Sequence, residues 1–274
     1  LDRSIEFGAW AGAGSHIYQS FPVRRIFDYD GDGHSDIALF RPSTGLWAIR
    51  GITRLYFGSS GDTPAPGDYD GDLVTDIAVF RPSPGLGAVR DITRAYFGTT
   101  GDEPIARDYD GDGNADIALF RPSTGLWALR GISRFYFGSS TDTPLPDDYG
   151  AGDEDGDGIA DILIFRESTG LWALRGVSRA YFGRSGDLPA CGYFHDPCGC
   201  SIGIFRPSTG LWAIWGETRV YYGTDSDTPI PANYDREEYQ DMIGIFRPST
   251  GLWSWREEGG RVYFGTAGDI PVTR

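Results

Sequence analysis

The sequence predicts an all-β chain folded as a six-bladed β-propeller with four antiparallel strands to a blade, and three observations predict it. A Phe-Arg pair closes an apolar run at Phe40, Phe80, Phe120, Phe165, Phe205 and Phe246, so the repeat spacings are 40, 40, 45, 40 and 41 residues. Each repeat holds four short strand-like stretches cut apart by Pro and Gly. No segment has apolar residues at helical spacing. A period near forty with four strands and no helix is the pattern of propeller blades. Residues 1–21 read as an N-terminal extension with an extra strand, and residues 22–274 as one propeller domain.

The first repeat shows the parts in order. A short segment leads into the acidic stretch Asp28-Tyr29-Asp30-Gly31-Asp32-Gly33-His34-Ser35-Asp36. Ile37-Ala38-Leu39-Phe40 follows, a continuous apolar run bounded by Asp36 and Pro42, which suits a strand buried on both faces. Pro42-Ser43-Thr44-Gly45 makes a hairpin tip. Leu46–Arg50 and Thr53–Phe57 supply the last two strands.

The acidic stretch reads as a calcium loop. Carboxylates at positions 1, 3, 5 and 9, with glycine at position 6 and a backbone carbonyl at position 7, can converge on one hard cation. An EF-hand is excluded, because position 12 is Leu39 rather than Glu and a strand follows. The expected ligands are Asp28, Asp30, Asp32, His34 (carbonyl) and Asp36 in repeat 1, and Asp108, Asp110, Asp112, Asn114 (carbonyl) and Asp116 in repeat 3. Repeat 2 offers Asp68, Asp70, Asp72, Val74 (carbonyl) and Asp76, but Leu73 replaces the glycine and predicts a weaker site. Repeat 4 inserts five residues and is read as Asp153, Asp155, Asp157, Ile159 (carbonyl) and Asp161. Repeat 6 keeps oxygen donors at Asn233, Asp235, Glu237 and Asp241, a degenerate fifth site. Repeat 5 has Tyr193, His195, Pro197 and Ser201 at the ligand positions and should bind no cation. The expected role of Ca²⁺ is structural: four carboxylates in one turn repel each other until a cation joins them.

The Asp-x-Asp-x-Asp-Gly-x-x-Asp loop, the buried strand after it and the Tyr56-Phe57-Gly58 triplet with its counterparts resemble the FG-GAP or VCBS type of repeat over nearly the whole chain. Such repeats occur in integrin α-chain heads, in calcium-binding propeller lectins and in secreted bacterial proteins with tandem Phe-Arg-Pro-Ser-Thr-Gly-x-Trp. The resemblance implies a calcium-binding propeller at the cell surface or outside the cell. It does not select a function, because this fold hosts adhesion, sugar binding and lyase chemistry alike.

Composition narrows the partners. The formal charge is −15, and four bound Ca²⁺ would bring it to −7. An acidic chain without a basic stripe argues against nucleic acid. All 24 basic residues are Arg. No apolar run nears the ~18 residues of a membrane span, so no membrane insertion is expected. The chain starts at Leu1, compatible with a processed export product or a fragment. The three histidines, His16, His34 and His195, form no catalytic constellation, and no enzymatic activity is expected.

Cys191, Cys198 and Cys200 bracket the ligand-free fifth loop. A disulfide from Cys191 to Cys198 or Cys200 is expected there; a zinc site including His195 is the alternative, with spacing that does not match the usual pairs. Trp47, Trp127, Trp172, Trp212 and Trp253 recur at one strand position, where repeat 2 has Gly87, and read as packing between blades. The Tyr-Phe-Gly triplets read the same way, as outer-strand ends. Propeller topology puts Arg41, Arg81, Arg121, Arg166, Arg206 and Arg247 on the face carrying Asp62, Asp102, Asp142, Asp187, Asp227 and Asp269. A ring of ion pairs is expected, with Arg-lined pockets for acidic ligands as the rival.

The ends do not close neatly in sequence. Residues 22–265 supply six sets of four strands, yet Ile5-Glu6-Phe7-Gly8 resembles another outer strand and Gly268–Val272 the start of a seventh repeat. An unpaired strand lent to a neighbour would build a filament. The expected function is a calcium-stabilised structural or adhesive module acting through a protein partner or self-assembly. The alternative is a lectin-like propeller that binds a surface glycan.

Overall fold

The computed structural model describes residues 27–147, 159–194, 200–216, 219–234 and 240–272. It is a six-bladed β-propeller, each blade a four-stranded antiparallel sheet. Blade two shows the plan: a two-residue inner strand Thr63–Pro64, then Ala78–Arg81, Leu86–Val89 and the outer strand Thr93–Tyr96. Blades three to six repeat it in sequence order. Among the described residues the only helical turn is a 3-10 turn at Glu257–Gly259.

Blade one differs in one respect. Its strands Ala38–Arg41, Leu46–Ile49 and Thr53–Tyr56 are completed by Ile270–Pro271 from the far end of the chain, with Leu39 opposite Pro271 and Phe40 opposite Ile270. The Val272 N–H donates to the Ala38 carbonyl at 2.9 Å. Gly268–Val272 therefore does not start a seventh repeat, as the sequence pattern suggested. It is the inner strand of the first blade and closes the ring. Ile5–Gly8 and the segment leading into the first acidic loop lie outside the described residues.

The second strand of each blade is buried on both faces, as its unbroken apolar run requires: Ala38, Leu39 and Phe40 are at most 2% exposed. Outer strands alternate instead, with Leu55 facing the core and Arg54 and Tyr56 facing out. At the hairpin tip Gly45 has φ +69°, and an added Cβ would stand 2.4 Å from the Gly58 carbonyl oxygen, so no other residue fits that turn without moving the backbone.

The core lies between blades. Trp47 packs with Phe40 of its own blade and with Ile77, Val79 and Ala88 of the next. Its indole N–H donates to the Phe57 carbonyl at 3.0 Å, and Trp127, Trp172, Trp212 and Trp253 make the same bond to Phe137, Phe182, Tyr222 and Phe264. All five are at most 2% exposed. The recurrent tryptophan is thus the wedge between neighbouring blades. In blade two Gly87 leaves that place to smaller groups, the nearest being Ile117 Cγ2 and the Ala95 carbonyl oxygen, each 3.8 Å from where a Cβ would stand.

The ion-pair ring is present in full. Arg81 Nε and Nη2 donate to Asp62 Oδ1 and Oδ2, both at 2.8 Å, and the other blades repeat this two-pronged pairing. The last pair, Arg41 with Asp269 at 2.6 and 2.8 Å, ties the two ends of the described chain together. Each aspartate side chain is at most 3% exposed, whereas the arginines remain 19–40% exposed. Burial alone would raise the carboxyls of Asp102 and Asp269. The bonds from Arg121 and Arg41, with the N–H groups of Thr99 and Thr266, outweigh it and hold both below the usual range. The expected ring thus commits these six arginines, which the rival reading would have placed in pockets for acidic ligands.

Candidate metal centre

In blades two and three the acidic loop links the inner strand to the second strand, pinned at the base by the bridges Gly67 to Asp76 and Arg107 to Asp116; in blade one it leads into the second strand, whose inner neighbour comes from the far end of the chain. Inside the first loop the carboxylates bind the loop's own amides. Asp28 Oδ1 accepts from Asp30, Gly31 and Asp32, and its Oδ2 from Gly33. Asp30 accepts from the Asp32 N–H, and Asp32 from the His34 N–H. Asp36 Oδ2 accepts from the Tyr29 N–H at 2.7 Å. These bonds fold the chain inward and gather the carboxylates without using all their lone pairs.

Ligand atoms of Asp28, Asp30 and Asp32 lie within 4.8 Å of one another, as do those of Asp68, Asp70 and Asp76 and those of Asp108, Asp110 and Asp116. All donors are oxygen, the set a hard divalent cation takes, and the sixth position of the loop is free of strain in blades one and three, where Gly33 and Gly113 occupy the left-handed region at φ +85° and +98°. Leu73 stands there in blade two at φ +67°. A non-glycine residue in that region costs roughly 1–2 kcal/mol, which sets the second loop apart as its sequence implied. The position-seven residues Val74 and Asn114 donate N–H bonds to Asp72 and Asp112, as His34 does to Asp32.

The ninth-position carboxyls carry the electrostatic load. Burial pushes Asp36, Asp76 and Asp116 up; the N–H bonds from Tyr29, Tyr69 and Tyr109 oppose this, and the neighbouring carboxylates of each loop add to it. The result is about 6 in each case, against an ordinary 3.8. A bound cation would remove that penalty.

The loops are also joined to each other. Thr75 N–H donates to the Asp28 carbonyl at 2.6 Å, Ala115 to Asp68 at 2.5 Å, Ala160 to Asp108 at 2.7 Å and Ser35 to Asn233 at 2.9 Å. In each bond the eighth residue of one loop holds the first residue of the loop before it. These four bonds join blades six, one, two, three and four, and the Asp241 N–H to the Tyr193 carbonyl adds blade five to the same hydrogen-bonded belt. Sequence spacing within a repeat carries no sign of these contacts.

The remaining sites are placed only in part. Asp153, Asp155 and Asp157 lie outside the described residues; Asp161 bridges to Asp147 at the base of the fourth loop. In blade six the base bridge joins Ala232 to Met242, so Met242, not Asp241, holds the register of Asp76 and Asp116. The residue added in that repeat shifts Asp241 by one. Its carboxylate accepts the Tyr193 N–H at 2.9 Å, in the loop of blade five, while its own N–H donates to the Tyr193 carbonyl. Asp241 therefore serves the belt rather than the ninth position of a sixth-blade site. Asp235 and Glu237 lie outside the described residues. In blade five Cys191 and Cys200 are buried in one apolar cluster with Ile204 and Trp172, and His195 and Cys198 lie outside the described residues.

The tyrosines of the Tyr-Phe-Gly triplets depart from the packing role expected of them. Tyr56, Tyr96, Tyr136, Tyr181, Tyr221 and Tyr263 are not packed between blades; all six are 71–76% exposed. The signal was the alternation within Thr-Arg-Leu-Tyr, which puts Tyr56 on the face of Arg54 and opposite to Leu55. Among the described residues no helix is long and apolar enough to cross a membrane. Compared with known protein families, characterised proteins and solved structures, the chain matches none of them.

Proposed function

We propose that this chain is a calcium-stabilised propeller of the FG-GAP/VCBS type, working outside the cell or at its surface as a non-enzymatic structural or adhesive interaction module. One observation carries the reading: three loops at the same place in their blades each gather three carboxylates within 4.8 Å, positions 1, 3 and 5 in the first and 1, 3 and 9 in the second and third, and the loops belong to one belt around the ring. Cations in such loops would stiffen the face as a whole, since each loop is bonded to its neighbour. A rigid ring bearing six copies of one surface is a frame for repeated contacts with a partner protein or a glycan.

Titrating metal-free protein with Ca²⁺ by calorimetry tests this. At least three equivalents should bind, and Asp112→Ala should abolish a tighter site than Asp72→Ala does, because Leu73 already strains the second loop. A titration with no heat and no bound calcium after dialysis would refute the reading. In the fifth loop a disulfide from Cys191 to Cys198 or Cys200 is the proposed substitute for the cation. Thiol counting in denaturant should find one reactive thiol before reduction and three after; three from the outset would exclude the staple.

A further inference from the structure

The six outer strands differ among themselves in an unusual way. Their core-facing residue changes from blade to blade, as Leu55, Ala95, Phe135, Ala180, Val220 and Val262, while the two outward-facing residues are Arg and Tyr in every blade. Packing constrains buried residues and leaves exposed ones free to vary. Here the exposed pair is constant and the buried one is not, so the fold does not explain the pair. The tyrosine rings, 71–76% exposed, contribute little to the core.

The arginines of this pair are Arg54, Arg94, Arg134, Arg179, Arg219 and Arg261, all exposed. Among the described residues none has a carboxylate within ion-pair distance, unlike the six arginines of the inner ring. Arg54 and Arg134 instead lie over the rings of Phe264 and Phe97 of the preceding blade, at 5.8 and 5.7 Å. The outer strands contain no acidic residue. The nearby aspartates of the ion-pair ring are buried and each is already neutralised by its own arginine, so the arginines of the outer strands add positive charge without a carboxylate of their own. At the junction of blades six and one this surface is hollowed into a groove of about 230 Å³ lined by Leu46, Ala48, Arg54 and Phe264 together with the Arg41–Asp269 ion pair.

We infer that the rim is a sixfold repeated binding surface for an acidic polysaccharide built of uronic acid residues, an inference that rests on the interaction-module reading and names its ligand. Arg54 and Tyr56 stand two residues apart on one face, about 7 Å along the strand, close to the length of one sugar ring. An exposed tyrosine offers a flat apolar face to the C–H side of a pyranose, and a guanidinium without a carboxylate partner donates two parallel N–H bonds to a carboxylate. A neutral glycan would leave the arginines unused. Six weak sites at equal intervals match a repeating polymer better than a single small ligand, because avidity then multiplies modest contacts.

Hyaluronan, an alternating glucuronate polymer, is the probe, immobilised beside neutral dextran, with the full chain applied in Ca²⁺. Retention on hyaluronan but not dextran is expected, weakening as salt rises from 50 to 500 mM. Arg54→Gln, Arg94→Gln and Arg134→Gln combined should weaken binding at least tenfold, and so should Tyr56→Ser, Tyr96→Ser and Tyr136→Ser. Both variants should melt within a few degrees of the parent, since the altered side chains are exposed. Equal retention on dextran, or affinity unchanged in either triple variant, would overturn the assignment. So would self-association by light scattering without glycan that the same variants abolish, which would make a second copy the occupant. Normal Ca²⁺ binding alongside failed hyaluronan binding would sink this inference alone; absent Ca²⁺ binding would sink the reading beneath it.

Discussion

A chain ended after Gly265 should lose its cooperative melt, or melt at least twenty degrees lower than the full chain, although it loses only the last of the 24 strands among the described residues. The deleted segment carries the inner strand Ile270–Pro271, the buried Val272 and Asp269, which holds Arg41 at 2.6 and 2.8 Å. Removing Val272 forfeits roughly 1.5–3 kcal/mol of apolar burial. Baring the Leu39–Phe40 edge costs several hydrogen bonds at roughly 1 kcal/mol each. Together these approach the roughly 5–15 kcal/mol by which a domain is stable at all. Asp269→Asn in the full chain is the milder companion: it should cost about 2 kcal/mol, the worth of hydrogen bonds to a charged group, and leave the strand in place. Calorimetric melts of the two proteins decide the matter. A truncated chain that melts like the parent would show that the ring does not depend on this closure.

Removing Ca²⁺ with EDTA should lower the melting temperature by more than ten degrees. A cation present at a hundredfold excess over its Kd stabilises the folded state by about 2.7 kcal/mol per site, and three such sites sum to roughly 8 kcal/mol. For a chain of this size each kcal/mol moves the melt by roughly 2–4 °C. The pH dependence should then change sign with the metal. In the metal-free protein Asp36, Asp76 and Asp116 sit near 6 when folded and near 3.8 when unfolded, so the folded state binds protons more tightly. Protonation therefore favours folding. The stability these three groups withhold at pH 7 should return as pH falls through 6, and be fully regained below about 4. With Ca²⁺ bound the same protons compete with the cation, and stability should fall over that window. Melts at pH 7 and pH 5, each with Ca²⁺ and with EDTA, test both statements; an unchanged melt on EDTA addition would end the structural-calcium idea.

Much of this molecule could be read without its structure because the relevant physics is local. A buried strand needs an unbroken apolar run, and Ile37–Phe40 is one. A left-handed turn wants glycine, and Leu73 in that place marks the odd loop of the set. Six copies at nearly one spacing leave a ring of blades as the natural arrangement, and the Trp47 series and the Arg–Asp series then fall between and within blades as expected. What sequence alone could not decide are relations between residues far apart in the chain. Ile270–Pro271 looks like the start of another repeat until the ring brings it to Leu39 and Phe40, where hydrogen bonding to an otherwise bare edge makes it the last strand of the first blade. Asp241 fits the spacing of a ligand until the bridge from Ala232 to Met242 turns it toward Tyr193. Tyr56 and its counterparts read as packing until the curvature of the ring leaves the outer strand with one face on the core and the other in water. Periodicity within a repeat determined the blade and the loop. Closure, the belt and the rim were decided by tertiary structure, since each depends on which blade stands beside which.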